Sequence, residues 1–336
     1  MIEKISSIYT NASNSDIIWT LTWRPNYTQI YYAIKNHIYF FDCDLEGNND
    51  DSKHIRLDNK HKKSIRHISF SKEGNLLLCS SFDSTCTIFQ WKNAEWEHVQ
   101  TLQGHESEVK CISIHNNCKY IATCGRDKAI LVYEQSIYDS DVSVMNDMYY
   151  CSTILTSHSQ DVKCVIWHPK EELLASSSYD NTIKLWGKCE EWHCIQTLSH
   201  HKSTVWSLSF DSSGDSLCSA SQDQSLNVYG KNTNNSSYEL LVSIDNLHEF
   251  GIYSVDWHPK LDIIASGGAD NKITLITRSS NGLWKTTDKM EYAHNGDVNC
   301  VMWKQSDCDR STANVYFFAS SGDDGMINIY KYTHVQ

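Results

Sequence analysis

Proline is nearly missing from this chain, at three in 336 residues. That scarcity excludes a proline-rich linker or recognition segment. No apolar run approaches the ~18 residues of a membrane-spanning helix. The opening MIEKISSIYTNASNSD lacks the charged-then-apolar order of a secretory signal. Positive charge is in deficit, with 29 Lys plus Arg against 41 Asp plus Glu and a formal net charge of −12. Such a balance argues against nucleic acid and against a membrane as partner. There is no Gly-rich phosphate loop, no HExxH and no calcium-loop pattern. Thirteen cysteines are present, yet none stands in a CxxC pair. These absences lead us to expect a soluble intracellular protein with no bound metal or cofactor.

What is present is repetition. A histidine is followed 22 residues later by an aspartate five times: His61 and Asp83, His105 and Asp127, His158 and Asp180, His201 and Asp223, His248 and Asp270. A sixth pair, His294 and Asp324, is 30 apart because QSDCDRSTANV is inserted between them. Each copy holds three short runs of strand composition, such as VKCVIW, LLASSS and TIKLW, separated by turn residues, and a weaker fourth run such as CIQTL. One such unit has no means of covering its own apolar face, so the copies must stack. A seventh, degenerate copy opens the chain, where IIWTLTW (17 to 23) parallels TVWSLSF (204 to 210).

The pattern resembles the WD-repeat family over nearly the whole chain. The resemblance implies an all-β, seven-bladed propeller occupying residues 1 to 336 as one domain. IEKISSIYT would then be the outermost strand of the seventh blade, closing the ring with no exposed sheet edge. The polar stretches 46 to 54 and 231 to 238 are expected as loops between strands.

Out of context, His158, Ser178, Asp180 and Trp186 look like a hydrolase triad with a neighbour. The same offsets recur as His61, Ser81, Asp83 and as His201, Ser221, Asp223, and one enzyme has no use for three triads. No nucleophile elbow accompanies them, so no residue is assigned a catalytic role. The WD-repeat resemblance implies structural tetrads instead: the Asp accepts from the His and turn amides, the Ser hydroxyl bridges to the His, and the Trp N–H completes the set. Gly125, Gly268 and Gly322 stand where those serines would be, so blades 3, 6 and 7 are expected to have incomplete networks and to be softer. Cys111, Cys164 and Cys300 share one repeat position, six after the His, and are read as packing residues.

In this family the face where the inner strands begin and the Asp turns meet is the usual binding face. The position five after the His holds Arg66, Lys110, Lys163, Trp206, Tyr253 and Asn299, with Trp19 matching them in the degenerate copy. The position before the Asp holds Phe82, Arg126, Tyr179, Gln222, Ala269 and Asp323. An acidic protein thus places four cations and five aromatics around one ring, types enriched in binding hot spots. Arg126 is the leading candidate, because a guanidinium makes bidentate contact with a carboxylate. The expected ligand is an acidic or C-terminal segment bearing an aromatic.

Several stretches go beyond a generic repeat. GHESEVK, ATCGRDKAILVYE, SHSQDVKCVIWHPKEELLASSSYDNTIKLW, HKSTVWSLSFDSSG and HNGDVNCVMW together resemble the WD-repeat protein of the cytosolic iron-sulfur protein assembly machinery. AEWEHVQTL and CEEWHCIQTL fit as well. The match weakens in blade 1, and EQSIYDSDVSVMNDMYY (134 to 150) departs from it. The resemblance implies a non-enzymatic scaffold of the targeting complex that delivers clusters to cytosolic and nuclear apoproteins. Its partners would be the other subunits of that complex and the client proteins, with the propeller itself monomeric and cytoplasmic or also nuclear. Arg126 in GRDK matches that family's top-face arginine. Two other readings remain open from sequence: a substrate receptor in a ubiquitin-ligase or chromatin complex, and a direct cluster carrier using loop cysteines.

Overall fold

The computed structural model describes residues 1–10, 16–46, 53–136, 148–279, 281–305 and 314–334. The described residues contain seven four-stranded antiparallel sheets and no helix. We number the sheets as blades 1 to 7 and letter their strands a to d from the centre outward. Blade 4 is typical: a is Val162–Trp167, b is Leu173–Ser178, c is Ile183–Lys188 and d is Trp192–Leu198. The a strands touch in succession, from Leu21–Trp23 through Ile65–Phe70, Val109–Ile114, Val162–Trp167, Val205–Phe210, Ile252–Trp257 and Val298–Trp303, and the last touches the first. The chain is therefore a closed seven-bladed propeller around a central channel.

Stacking follows from burial. Every residue of LLASSS in strand b of blade 4 is buried, because both faces of that strand meet a neighbouring blade. Strand d alternates: Trp192 and Leu198 are buried while His193, Ile195 and Thr197 face outward. The core is shared between blades. Tyr120, Ala122, Ile130 and Val132 of blade 3 pack against Val165, Trp167, Leu174 and Trp186 of blade 4 in one cluster. Each such large apolar side chain is worth roughly 1.5–3 kcal/mol when taken from water, which no isolated blade could realise.

The start of the chain closes the ring. Ile2–Tyr9 pairs antiparallel with Met326–Thr333, from Ile2 opposite Tyr332 to Tyr9 opposite Met326. Lys4 Nζ adds a bond to the Ala293 carbonyl at 2.9 Å. The expected absence of sheet edges is corrected, since the d strand of every blade, Ile2–Tyr9 included, remains an edge. Radial repetition shortens edges but does not abolish them. Of the loops and insertions read from sequence, 47–52, 137–147 and 306–313 lie outside the described residues.

One irregularity positions the site. In blades 2 to 7 the register of strand a against strand b shifts at the same place, between Ile65 and His67, Val109 and Cys111, Val162 and Cys164, Val205 and Ser207, Ile252 and Ser254, and Val298 and Cys300. The residue skipped each time is the one five after the His. A β-bulge re-aims its extra side chain, and here it does so at the channel mouth.

Candidate protein-binding face

The His–Asp pairs anchor the loops of this face. In blade 4, His158 Nδ1 lies 2.8 Å from Asp180 Oδ2, and Asp180 also accepts the amides of Ser159 at 3.0 Å and Thr182 at 3.0 Å and the Thr182 hydroxyl at 2.6 Å. One carboxylate thereby ties the loop between blades 3 and 4 to the b–c turn. Burial alone would raise the Asp180 pKa, but the bonds from His158 and Thr182 outweigh it and hold the carboxyl well below its ordinary value. The same balance holds Asp270 at about 2.

The hydroxyl that His158 holds is Ser176, not Ser178. Ser176 Oγ is 2.8 Å from His158 Nε2 and accepts from Trp186 Nε1 at 2.9 Å. Ser178 instead donates to the Asp161 carbonyl at 2.9 Å and accepts from the Asp180 amide at 3.0 Å. Ser221 likewise bonds the Ser203 carbonyl while Ser219 meets His201, and Ser81 bonds the Lys63 carbonyl. In blade 2 the tetrad position is Cys79, and Thr87, directly opposite it in the ladder, reaches His61 Nε2 at 3.0 Å.

The incomplete networks expected in blades 3, 6 and 7 are also corrected. His105, His248 and His294 meet Thr123, Ser266 and Ser320 at 2.9, 2.9 and 2.7 Å. Gly125 is there for space: a Cβ would sit 2.7 Å from the Glu108 carbonyl and 3.2 Å from His105 Nδ1.

Around the channel mouth the residues expected as a ring touch one another. Arg66 lies 5.9 Å from the Trp19 ring, Trp19 packs on Phe82 at 5.1 Å, and Lys110 Nζ sits 4.2 Å over Phe82. Lys163 Nζ stands 5.0 Å from the Tyr179 ring and 5.1 Å from Trp206, which meets Tyr253 edge-on at 5.5 Å. Asn299, which also bonds Asp323 at 2.7 Å, carries the ring on to blade 1 by donating to the Ile18 carbonyl at 3.4 Å. Cation–π contacts of this kind contribute ~0.5–1 kcal/mol each at exposed sites, which helps to order these side chains.

The cations are not unopposed, which the sequence reading had not foreseen. Arg126 Nη1 bonds Glu108 Oε1 at 3.1 Å and Lys163 bonds Asp161 at 3.3 Å. Burial, and next the Lys163 ammonium, lower the Lys110 pKa. On the opposite side, burial and then the Asp323 carboxylate raise that of Asp297. The ring is therefore dipolar, basic over blades 2 to 4 and acidic at blade 7. Glu108, Asp161 and Asp297 share one offset, three after the His, so the signal for them was in the repeat.

Between blades 3 and 4 the face opens into a shallow cleft of ≈ 240 Å³ lined by Lys110, Arg126, Gln160, Asp161 and Tyr179. The Arg126 side chain is 61 % exposed and Tyr179 is 54 % exposed. A larger dent of ≈ 390 Å³ on the other face is formed by the single turn 189–193, with no residues converging from other elements.

A model of the WD domain, G-beta repeat, matches residues 52–90, 96–134, 149–187, 192–230 and 241–276. Each match begins with or near a d strand, so one sequence repeat completes the preceding blade and starts the next. Proteins named probable cytosolic iron-sulfur protein assembly protein 1 are similar along most of their length. That of Kluyveromyces lactis is 34 % identical over 82 % of this chain and 84 % of its own, and that of Vanderwaltozyma polyspora 31 % over 82 % and 83 %. The Caenorhabditis elegans protein named a CIAO1 homolog is 34 % identical over 82 % and 81 %. The chain belongs to the cytosolic iron-sulfur protein assembly protein 1 family. This member of the family carries its WD signatures in blades 2 to 6, and the degenerate blade 1 and interrupted blade 7 fall mostly outside the matched segments. No enzyme family is indicated. Among the described residues of this family member, no group of three His, Cys, Asp or Glu is arranged to hold a metal ion.

Proposed function

We propose that this chain is a non-catalytic scaffold of cytosolic iron-sulfur protein assembly, working in the cytoplasm or also in the nucleus. It joins the other subunits of the targeting complex to client apoproteins. The family membership supports the pathway, and the cleft between blades 3 and 4 carries the reading of the site. Arg126 there spends one nitrogen on Glu108 and leaves most of its guanidinium exposed beside Lys110 and the Tyr179 ring. A guanidinium, an ammonium and an aromatic around one shallow cleft suit a peptide that ends in, or carries, a carboxylate next to an aromatic side chain. Trp19, Arg66, Phe82, Lys163, Trp206 and Tyr253 extend the same surface across the channel mouth.

The test is affinity purification from cytosol with the intact chain and with Arg126→Glu. Loss of iron-sulfur assembly factors or cluster-containing enzymes from the variant supports both the scaffold and its working face. Recovery of ubiquitin-ligase or chromatin subunits instead, unchanged by the substitution, overturns both.

A further inference from the structure

Two cations at the channel mouth lack what Arg126 and Lys163 have. Arg126 bonds Glu108 and Lys163 bonds Asp161, whereas among the described residues neither Arg66 nor Lys110 has a carboxylate within ion-pair distance. Arg66 donates from Nη1 to the Trp19 carbonyl of blade 1 at 3.5 Å, a long bond, and its guanidinium lies 5.9 Å from the Trp19 ring. Lys110 Nζ rests on the Phe82 ring at 4.2 Å and makes no hydrogen bond among the described residues. Trp19 and Phe82 pack on each other at 5.1 Å, so one aromatic pair carries both cations. Lys163, whose side chain is 12 % exposed, completes the group from blade 4.

The fold does not need these charges. The same bulge holds Trp206, Tyr253 and Asn299 in blades 5 to 7, which pack without a cation at that position. Arg66 and Lys110 are half-buried, and a cation drawn out of water destabilises a fold unless an anion meets it. Burial lowers the pKa of each, and Lys163 adds to the effect at Lys110. With Lys163 and Arg126 included, four cations here meet two carboxylates, Glu108 and Asp161, in a chain whose net charge is −12. The unmatched donors come from two inner strands that lie side by side, Ile65–Phe70 and Val109–Ile114. A planar carboxylate with one charge suits a single guanidinium, as at Arg126. A tetrahedral dianion accepts hydrogen bonds from several directions and matches two positive charges.

We propose that a phosphate group binds at the channel mouth of blades 2 and 3, with Arg66 and Lys110 donating to its oxygens and Lys163 beside them. The Trp19–Phe82 pair helps to hold both cations in place for it. The phosphate is either a free ion or an ester on a serine or threonine of a protein partner. The second source deepens the reading of this face as a partner-binding surface and rests on it, whereas the anion site itself does not.

The experiment follows the melting of the full chain as inorganic phosphate replaces chloride at constant ionic strength and about pH 7.5, where the dianion predominates. The expected result is a saturable rise that reaches about 2 °C at ten times the dissociation constant. Arg66→Gln and Lys110→Gln should each weaken the binding by about tenfold to a hundredfold. Lys62→Gln, which removes an exposed charge from the same face, should change it by less than about twofold. Arg66→Met guards against a variant that merely misfolds: in chloride it should melt at or above the parent, because the charge it removes is unmatched, and it should not respond to phosphate. A capped phosphoserine peptide separates the sources. Binding about tenfold or more tighter than inorganic phosphate supports the site with a phosphorylated partner segment as its ligand, and weaker binding supports it with the free ion. The absence of any rise beyond the chloride control would overturn the proposal. So would an undiminished response in Arg66→Gln, an equal loss in Lys62→Gln, or an Arg66→Met that melts well below the parent in chloride. The phosphate titrations need no partner, so failure here and failure of the scaffold reading are separate results.

Discussion

Removing one hydroxyl from blade 4 should cost more than removing the neighbour that sequence spacing favoured. In the tautomer that lets His158 Nδ1–H donate to Asp180, Nε2 accepts from Ser176, which in turn accepts from Trp186 Nε1. Ser176→Ala therefore orphans a buried ring nitrogen and a buried indole N–H. At ~1–3 kcal/mol per unsatisfied buried group the loss is about 2–6 kcal/mol. Ser178→Ala orphans chiefly the Asp180 amide, because the Asp161 carbonyl still accepts from the Tyr179 amide at 2.9 Å. Its cost should be about 1 kcal/mol. With an unfolding entropy of ~2.1 cal/mol/K per residue, a chain of this length loses roughly 1.4 °C per kcal/mol, so Ser176→Ala should melt about 1–7 °C below Ser178→Ala. Urea midpoints by far-ultraviolet circular dichroism supply the same comparison at equilibrium. A double-mutant cycle with Trp186→Phe should show coupling of about 0.5–3 kcal/mol for Ser176 and close to none for Ser178. Equal destabilisation by the two serine variants, or no coupling to Trp186, would refute the assignment.

Further outcomes follow from other buried groups. Asp256, on the a strand of blade 6, accepts from the Trp303 amide at 2.7 Å, and burial pushes its pKa up to about 7. The unfolded chain gives up that proton near pH 4 and the folded chain holds it to about pH 7. Stability contributed by this group is therefore lost as pH rises between those values. Asp256→Asn should match the parent in Tm near pH 4 and exceed it increasingly up to pH 8, by an amount corresponding to about 2–4 kcal/mol; a constant offset across the range would argue against it. Gly214 has φ +82° and a Cβ there would lie 1.9 Å from His168 Nε2, so Gly214→Ala should cost more than ~2 kcal/mol in urea denaturation. Wild-type stability in that variant would show that the turn relaxes freely. Deleting residues 2–9 strips blade 7 of its outer strand and should lower the melting of the whole ring in one cooperative step; an early transition confined to blade 7 would mean that closure contributes little.

Spacing alone exposed the repeat, and the WD-repeat resemblance that the repeat carried implied the blades, the closing strand and the ring of side chains five after each His. These features depend on chain distance, which the sequence records directly. Ser176 and Ser178 stand two apart on one strand, so both point to the same side and no pattern distinguishes them. Which one meets His158 depends on how far the loop between blades reaches into the turn. Thr87 was invisible for a related reason: it replaces a missing hydroxyl from the opposite strand, and only the ladder register brings it to Cys79. Glu108, Asp161 and Asp297 were readable from their common offset, but the pairing of the first two with Arg126 and Lys163, and the crowding of the third against Asp323, needed the loops to be placed.

The sequence by itself determined that the repeated units would bury their apolar faces against one another, because periodic apolar runs have no other way to leave water. Only the tertiary structure decided where the charges at the channel mouth meet. A bulge at one position in six blades turns Arg66, Lys110, Lys163 and their counterparts to the channel mouth, and ring closure sets basic blades opposite acidic blade 7. Contacts between blades lie far apart in sequence, and distance along a chain carries no record of them.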